Sequence, residues 1–206
     1  MIALIDYRAG NLASVRKALA AVGADVFTPA APGDLMRAAG VIVPGVGHFG
    51  ATRAIDESWR AAILDALDRG VPLLGICLGM QYLFEGSEEA PDMAGLGILA
   101  GRCALLPSTV KVPHVGWNSL EIRRPSVLFD PAVDGAPVYF THSYAAPVTE
   151  DCVAIAEHGA PFAAAVERGL AFGVQFHPEK SSDAGLRVLH RFLHVTTSPD
   201  RATARC

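Results

Sequence analysis

Three groups of residues in this chain have the types and spacing to do chemistry. The first is Cys77, set in Gly75-Ile76-Cys77-Leu78-Gly79. The apolar run Val71 to Ile76 before it reads as a strand buried on both faces. Leu78, Tyr82 and Leu83 after it recur at helical spacing. A nucleophile between strand and helix, with a glycine two positions away on each side, has the pattern of a nucleophile elbow with Cys in place of Ser. Such a turn strains the central backbone, and its small neighbours avoid a collision. The sulfur then sits at a strand's carboxyl end and a helix N-terminus, which favours the thiolate. A structural Cys in a glycine-rich turn would carry the same residues, so the elbow alone leaves both readings level.

The second group is His177-Pro178-Glu179. In extended backbone, residues two apart point to the same side. Pro178 biases His177 toward that geometry, so the carboxylate can sit beside the imidazole and orient it. Nucleophile, base and orienter are the three roles of a catalytic triad, and together with the elbow they decide for that reading. The order Cys, His, Glu differs from that of the α/β-hydrolases, where the acid precedes the His. The third group is the loop Pro44-Gly45-Val46-Gly47, which follows an apolar strand and offers backbone N–H groups to an oxyanion. The N–H of Leu78 is the second expected donor.

The elements that must position these groups alternate. Strands are expected at 2–5, 24–27, 40–43 and 71–76. Helices are expected at 12–22, capped by Asn11 and closed by Gly23, in a short piece from Pro32, and in one long run from about Ala51 to Arg69. This pattern predicts an α/β fold with a mainly parallel central sheet flanked by helices, whose ligands bind beyond the carboxyl ends of the strands. From Gly95 the strands shorten and breakers multiply. Residues 112–118 read as a loop or strand end and 138–144 as a strand. Residues 152–157, 163–167 and 170–176 read as a small antiparallel meander. A last helix is expected over about 183–193. Residues 1–195 are expected to form a single domain, with 196–206 as a frayed tail.

With 206 residues and 51% hydrophobic content, the chain can build one full-sized core and is short for two. A net charge of -4 gives no sign of a nucleic-acid binder. No apolar run reaches membrane-spanning length, and Met1 to Asp6 reads as a strand rather than a signal peptide. The four cysteines are scattered, without a CxxC pair. That argues against a zinc site or a disulfide framework and for a cytoplasmic location.

Gly75 to Gln81 together with His177-Pro178-Glu179 resembles the class I (triad) glutamine amidotransferases. Asp6 to Leu12, Pro44 to Gly50, Pro113 to Asn118 and Tyr139 to Tyr144 narrow the resemblance to the glutaminase subunits of imidazole glycerol phosphate synthase, over residues 2 to about 193. Arg8 departs from it, since Gly is expected there.

The resemblance implies a class I glutamine amidotransferase fold and no cofactor or metal. It implies that Cys77 attacks the side-chain amide of glutamine. His177 would serve first as acid and then as base, and Glu179 would orient it. Leu78 and the Gly45, Val46, Gly47 loop would hold the oxyanion. Gln81, Thr141, His142 and Ser143 would contact glutamine. Ammonia would pass through a channel to a (βα)8-barrel cyclase partner in histidine biosynthesis. Pro113, His114, Trp117, Asn118, Tyr139 and Lys180 would lie at or near that partner. The alternatives are the glutaminase of another synthase, a free-standing cysteine γ-glutamyl hydrolase, and, furthest from the motifs, a non-catalytic module.

Overall fold

Alternate apolar residues on short strands set the layering. Ile2 packs with Leu4 in one apolar cluster, while Ala3 and Ile5 belong to another; Ile42 and Leu74 divide from Val41, Val43 and Leu73 in the same way. Both sides of the sheet are therefore covered. The computed structural model describes residues 1–197.

In chain order the elements are β1 (Ile2–Leu4), α1 (Leu12–Ala21), β2 (Val26–Phe27), β3 (Gly40–Val43), α2 (Glu57–Asp68), β4 (Leu73–Ile76), α3 (Leu78–Leu83), β5 (Gly86–Ser87), β6 (Arg102–Leu105), β7 (His114–Ser119), β8 (Glu121–Ile122), β9 (Pro137–His142), β10 (Tyr144–Ala145), β11 (Cys152–Glu157), β12 (Pro161–Arg168), β13 (Ala171–Val174) and α4 (Ser182–Thr197). Among the described residues the main sheet has eight strands in the order β2-β1-β3-β4-β13-β12-β11-β8. It is parallel from β2 to β13 and antiparallel from β13 to β8. The expected meander is thus a direct continuation of the parallel sheet. A separate antiparallel pair joins β7 to β9, and a small sheet joins β10, β6 and β5. Val15 and Leu19 of α1 and Val188 and Phe192 of α4 fill one cluster, and Ile63 and Ala66 of α2 enter the other.

Two boundaries change the expected layout. The run from Ala51 to Arg69 is not one helix. A 3-10 segment, Phe49–Ala54, ends at Ile55, and α2 begins afresh because the Asp56 carboxylate accepts from the N–H groups of Ser58 and Trp59. Helix α4 reaches Thr197, and Thr196 is buried, so these two residues are not tail. The rest of the expected tail, 198–206, lies outside the described residues.

Candidate active site

Cys77 has φ 53° and ψ -107°, a conformation that L-residues rarely adopt. Its small neighbours are required. A Cβ on Gly79 would overlap the Val43 carbonyl oxygen, and one on Gly75 would come within 2.5 Å of the Gly79 oxygen. The elbow is therefore packed between β3, β4 and the first turn of α3.

β4 and β13 are parallel neighbours with Ile76 opposite Val174, and the Cys77 N–H donates to the Val174 carbonyl at 2.8 Å. Cys77 and His177 thus leave the same edge of the sheet on adjacent strands, although one hundred residues of sequence separate them. The His177 N–H donates to the Tyr139 carbonyl at 2.9 Å, and the Ser181 hydroxyl donates to the His177 carbonyl at 2.6 Å. The Nδ1–H of His177 donates to Glu179 Oε1 at 2.8 Å, between side chains only 1% and 3% exposed. This fixes the tautomer and leaves Nε2 to face Cys77; it is buried and makes no hydrogen bond of ordinary geometry among the described residues. Burial disfavours the imidazolium, but the sulfur of Cys77 and the carboxylate of Glu179 outweigh it and raise the His177 pKa to about 9.

A cleft of about 350 Å³ opens over the sulfur. Val46, Gly47, Leu78, Gln81, Glu89, Thr141, His142, Ser143 and Tyr144 are among its walls. The Gln81 amide nitrogen donates to the Tyr144 carbonyl at 2.8 Å and to the Gln175 side-chain oxygen at 3.1 Å, which leaves its own oxygen as the acceptor available to a ligand. The Thr141 carbonyl lies 3.9 Å from Cys77 Sγ. Glu89 supplies a carboxylate, steadied by the Phe49 N–H at 2.6 Å.

Two features of this cleft bear on the expected contacts. Leu78 does not present a free oxyanion donor in this conformation, because its N–H donates to the Gly45 carbonyl at 3.4 Å. The loop therefore turns an oxygen, rather than an N–H, toward the position needed. The His142 side chain has no nitrogen left for glutamine, so this segment would meet it through backbone groups or through Thr141 and Ser143. Its Nδ1 pairs with the Tyr144 carbonyl at 3.0 Å and its Nε2 with His114 Nδ1 at 3.1 Å.

The match to known proteins is extensive. The family profile described as "Glutamine amidotransferase class-I" matches residues 3–195. "Imidazole glycerol phosphate synthase subunit HisH" of Moorella thermoacetica is 49% identical over 195 residues, which is 93% of each chain. The HisH subunit of Thermococcus kodakarensis is 46% identical, over 93% of this chain and 98% of its own. The chain belongs to the HisH family of class I glutamine amidotransferases.

Solved structures agree with the fold. A crystal structure described as a glutamine amidotransferase superposes with TM-score 0.76 at 18% identity, covering 96% of this chain and all 100% of that one. PurLQS from Thermotoga maritima gives TM-score 0.74 at 21% identity, covering 94% and 97%.

In this HisH-family chain the remaining residues singled out by sequence divide into two sets. Trp117 is 54% exposed and meets Tyr139 edge-on, with ring centres 6.1 Å apart; Lys180 Nζ lies 5.5 Å from the centre of the Tyr139 ring. Pro113 lines the cleft and is exposed. His114, by contrast, does not reach the surface. It is buried, stacked on His158 with ring centres 4.1 Å apart. Asn118 is turned inward and donates to the Glu157 carbonyl at 2.8 Å. Glu89 and Gln175 carry no site role from the sequence, and Tyr144 appears there only as the end of the Tyr139–Tyr144 motif. Glu89 stands in Ser87-Glu88-Glu89 just beyond the elbow helix, which is a faint signal. Gln175 stands two residues before His177, but nothing local marks its partner as Cys77.

Proposed function

We propose that this chain hydrolyses glutamine to glutamate and ammonia through a γ-glutamyl thioester on Cys77. The observation that carries the reading is the placement of Cys77 and His177 on adjacent parallel strands, with Glu179 behind the imidazole and a cleft over the sulfur. The Cys77 thiolate attacks the side-chain carbonyl carbon of glutamine. A sulfur–carbon bond forms, and the carbonyl electron pair moves to oxygen. As that pair returns, the carbon–nitrogen bond breaks and the His177 imidazolium gives the departing nitrogen its proton. The neutral imidazole then takes a proton from water, which attacks the thioester and releases glutamate. Glu179 holds the ring and stabilises its cation. The Gln81 oxygen and the Glu89 carboxylate suit the α-ammonium of the substrate.

The oxyanion site assembles by rotation of one peptide. Turning the Gly45–Val46 unit removes the carbonyl that now occupies the Leu78 N–H and brings the Val46 N–H into its place. The cyclase partner, a (βα)8 barrel, would favour that turned state when it binds its own ligand. It would dock over Trp117, Tyr139 and Lys180, receive the ammonia by an internal channel, and use it to form imidazole glycerol phosphate in the cytoplasm. Rapid quenching followed by mass spectrometry tests the chemistry. A γ-glutamyl adduct on Cys77 during turnover, absent in Cys77→Ala, supports it; full turnover by Cys77→Ala overturns it.

A further inference from the structure

Gln175 has no part in the triad, yet its side chain reaches the nucleophile. It is 0% exposed, and its Nε2 donates to Cys77 Sγ across 3.6 Å. An amide can be turned so that either its N–H or its oxygen faces the sulfur, and only the first stabilises a thiolate. Here the choice is fixed from a distance. The Tyr144 backbone oxygen can only accept, so the Gln81 atom 2.8 Å from it is the amide nitrogen. That nitrogen also lies 3.1 Å from the Gln175 side chain, which therefore presents its oxygen there. The Gln175 nitrogen is left for Cys77.

We propose that Gln175 is a further catalytic residue whose amide N–H holds and stabilises the Cys77 thiolate, and that Gln81 is the positioning residue that keeps this amide from turning over. A hydrogen bond to an ionised acceptor is about twice as strong as a neutral one, and burial removes the water that would otherwise compete. The amide keeps its proton throughout. It faces the sulfur before attack and again when the thioester breaks and the electron pair of the sulfur–carbon bond returns to sulfur. The proposal rests on Cys77 as nucleophile, a reading that Cys77→Ala tests by itself.

The test needs no glutamine and no partner. Alkylation of Cys77 by iodoacetamide is followed by mass spectrometry in the full chain and in Gln175→Met, Gln175→Glu and Gln81→Met. Gln175→Met is expected to react roughly tenfold more slowly at neutral pH, the worth of one hydrogen bond to a charged group. Its rate should approach that of the parent in alkaline solution, where the thiolate forms unaided. Gln175→Glu keeps the shape but faces the sulfur with a carboxylate, and it should be slowed as well. Gln81→Met should fall between the parent and Gln175→Met. Unchanged neutral rates in both Gln175 variants would overturn the proposal. So would slowing by one constant factor at every pH, which would mean altered access to the sulfur. If Gln175→Met fails to fold, the near-isosteric Gln175→Glu carries the same comparison.

Discussion

The N–H of Leu78 and the carbonyl of Gly45 face each other across 3.4 Å, so the donor proposed to bind the oxyanion is occupied by the loop itself. The loop has little room to grow. A Cβ on Gly45 would overlap the Tyr7 hydroxyl and come within 2.9 Å of Leu78 Cβ. Gly45→Ala is therefore expected to cost at least tenfold in glutaminase rate, about 1.4 kcal/mol in transition-state stabilisation. Part of that loss should return in Gly45→Ala combined with Tyr7→Phe. Steady-state ammonia release by the two variants checks this.

Tyr7→Phe alone has a second expected outcome. The Tyr7 hydroxyl is buried with no hydrogen-bond partner among the described residues, and burial pushes its ionisation far above the ordinary phenol range. An unsatisfied buried hydroxyl costs about 1–3 kcal/mol, so its removal should leave denaturant stability unchanged or raised. A loss above about 1 kcal/mol would show that the hydroxyl has a partner.

The pH dependence of activity follows from His177. In the proposed mechanism its imidazolium supplies the proton to the departing nitrogen, and its pKa is raised to about 9, so the acid form persists at neutral pH and is lost as pH rises through that value. The rate should fall on the alkaline side near pH 9. Glu179→Gln removes one of the groups that raise this pKa, so its alkaline limb should move to lower pH. A pH–rate profile of both proteins, with the limb fixed or moved upward in the variant, would contradict the assignment.

Stability toward acid should report the inner histidines. Burial lowers the pKa of His142 to about 3 and of His114 to about 4, below the ordinary 6.5. Between 6.5 and these values the unfolded chain binds more protons than the folded one, so stability is lost as pH falls through that window. His142→Gln can still pair with Tyr144 and should flatten the acid side of a urea-midpoint profile.

Arg8 takes φ 64°, the left-handed conformation that glycine adopts without strain. Strain there for a side-chain residue is about 1–2 kcal/mol, offset in part by the greater freedom of glycine in the unfolded chain. Arg8→Gly should thus be neutral or stabilising by up to about 1 kcal/mol in a thermal or urea melt.

What could be read from the sequence was local. Gly75 and Gly79 mark the elbow because the turn tolerates no side chain there, and Asn11 marks a helix start because its side chain accepts from the Ser14 N–H at 3.2 Å. The break at Asp56 was equally local. Its cap on Ser58 and Trp59 was obscured by an apolar pattern that continues across it. Other features depend on residues far apart in the chain. Gln175 reaches Cys77 because β13 adds beside β4, and His142 is saturated because β7 brings His114 against it. The state of the oxyanion loop depends on which way one peptide faces, and both directions suit the same residues.

The most direct measurement is ammonia release from glutamine by this chain, alone and with a cyclase subunit carrying its ligand, using Cys77→Ala as control. With the Gly45 carbonyl seated on the Leu78 N–H in the free chain, the account predicts weak activity alone and strong activation by the loaded cyclase, both lost in Cys77→Ala. Full activity without the partner would contradict it.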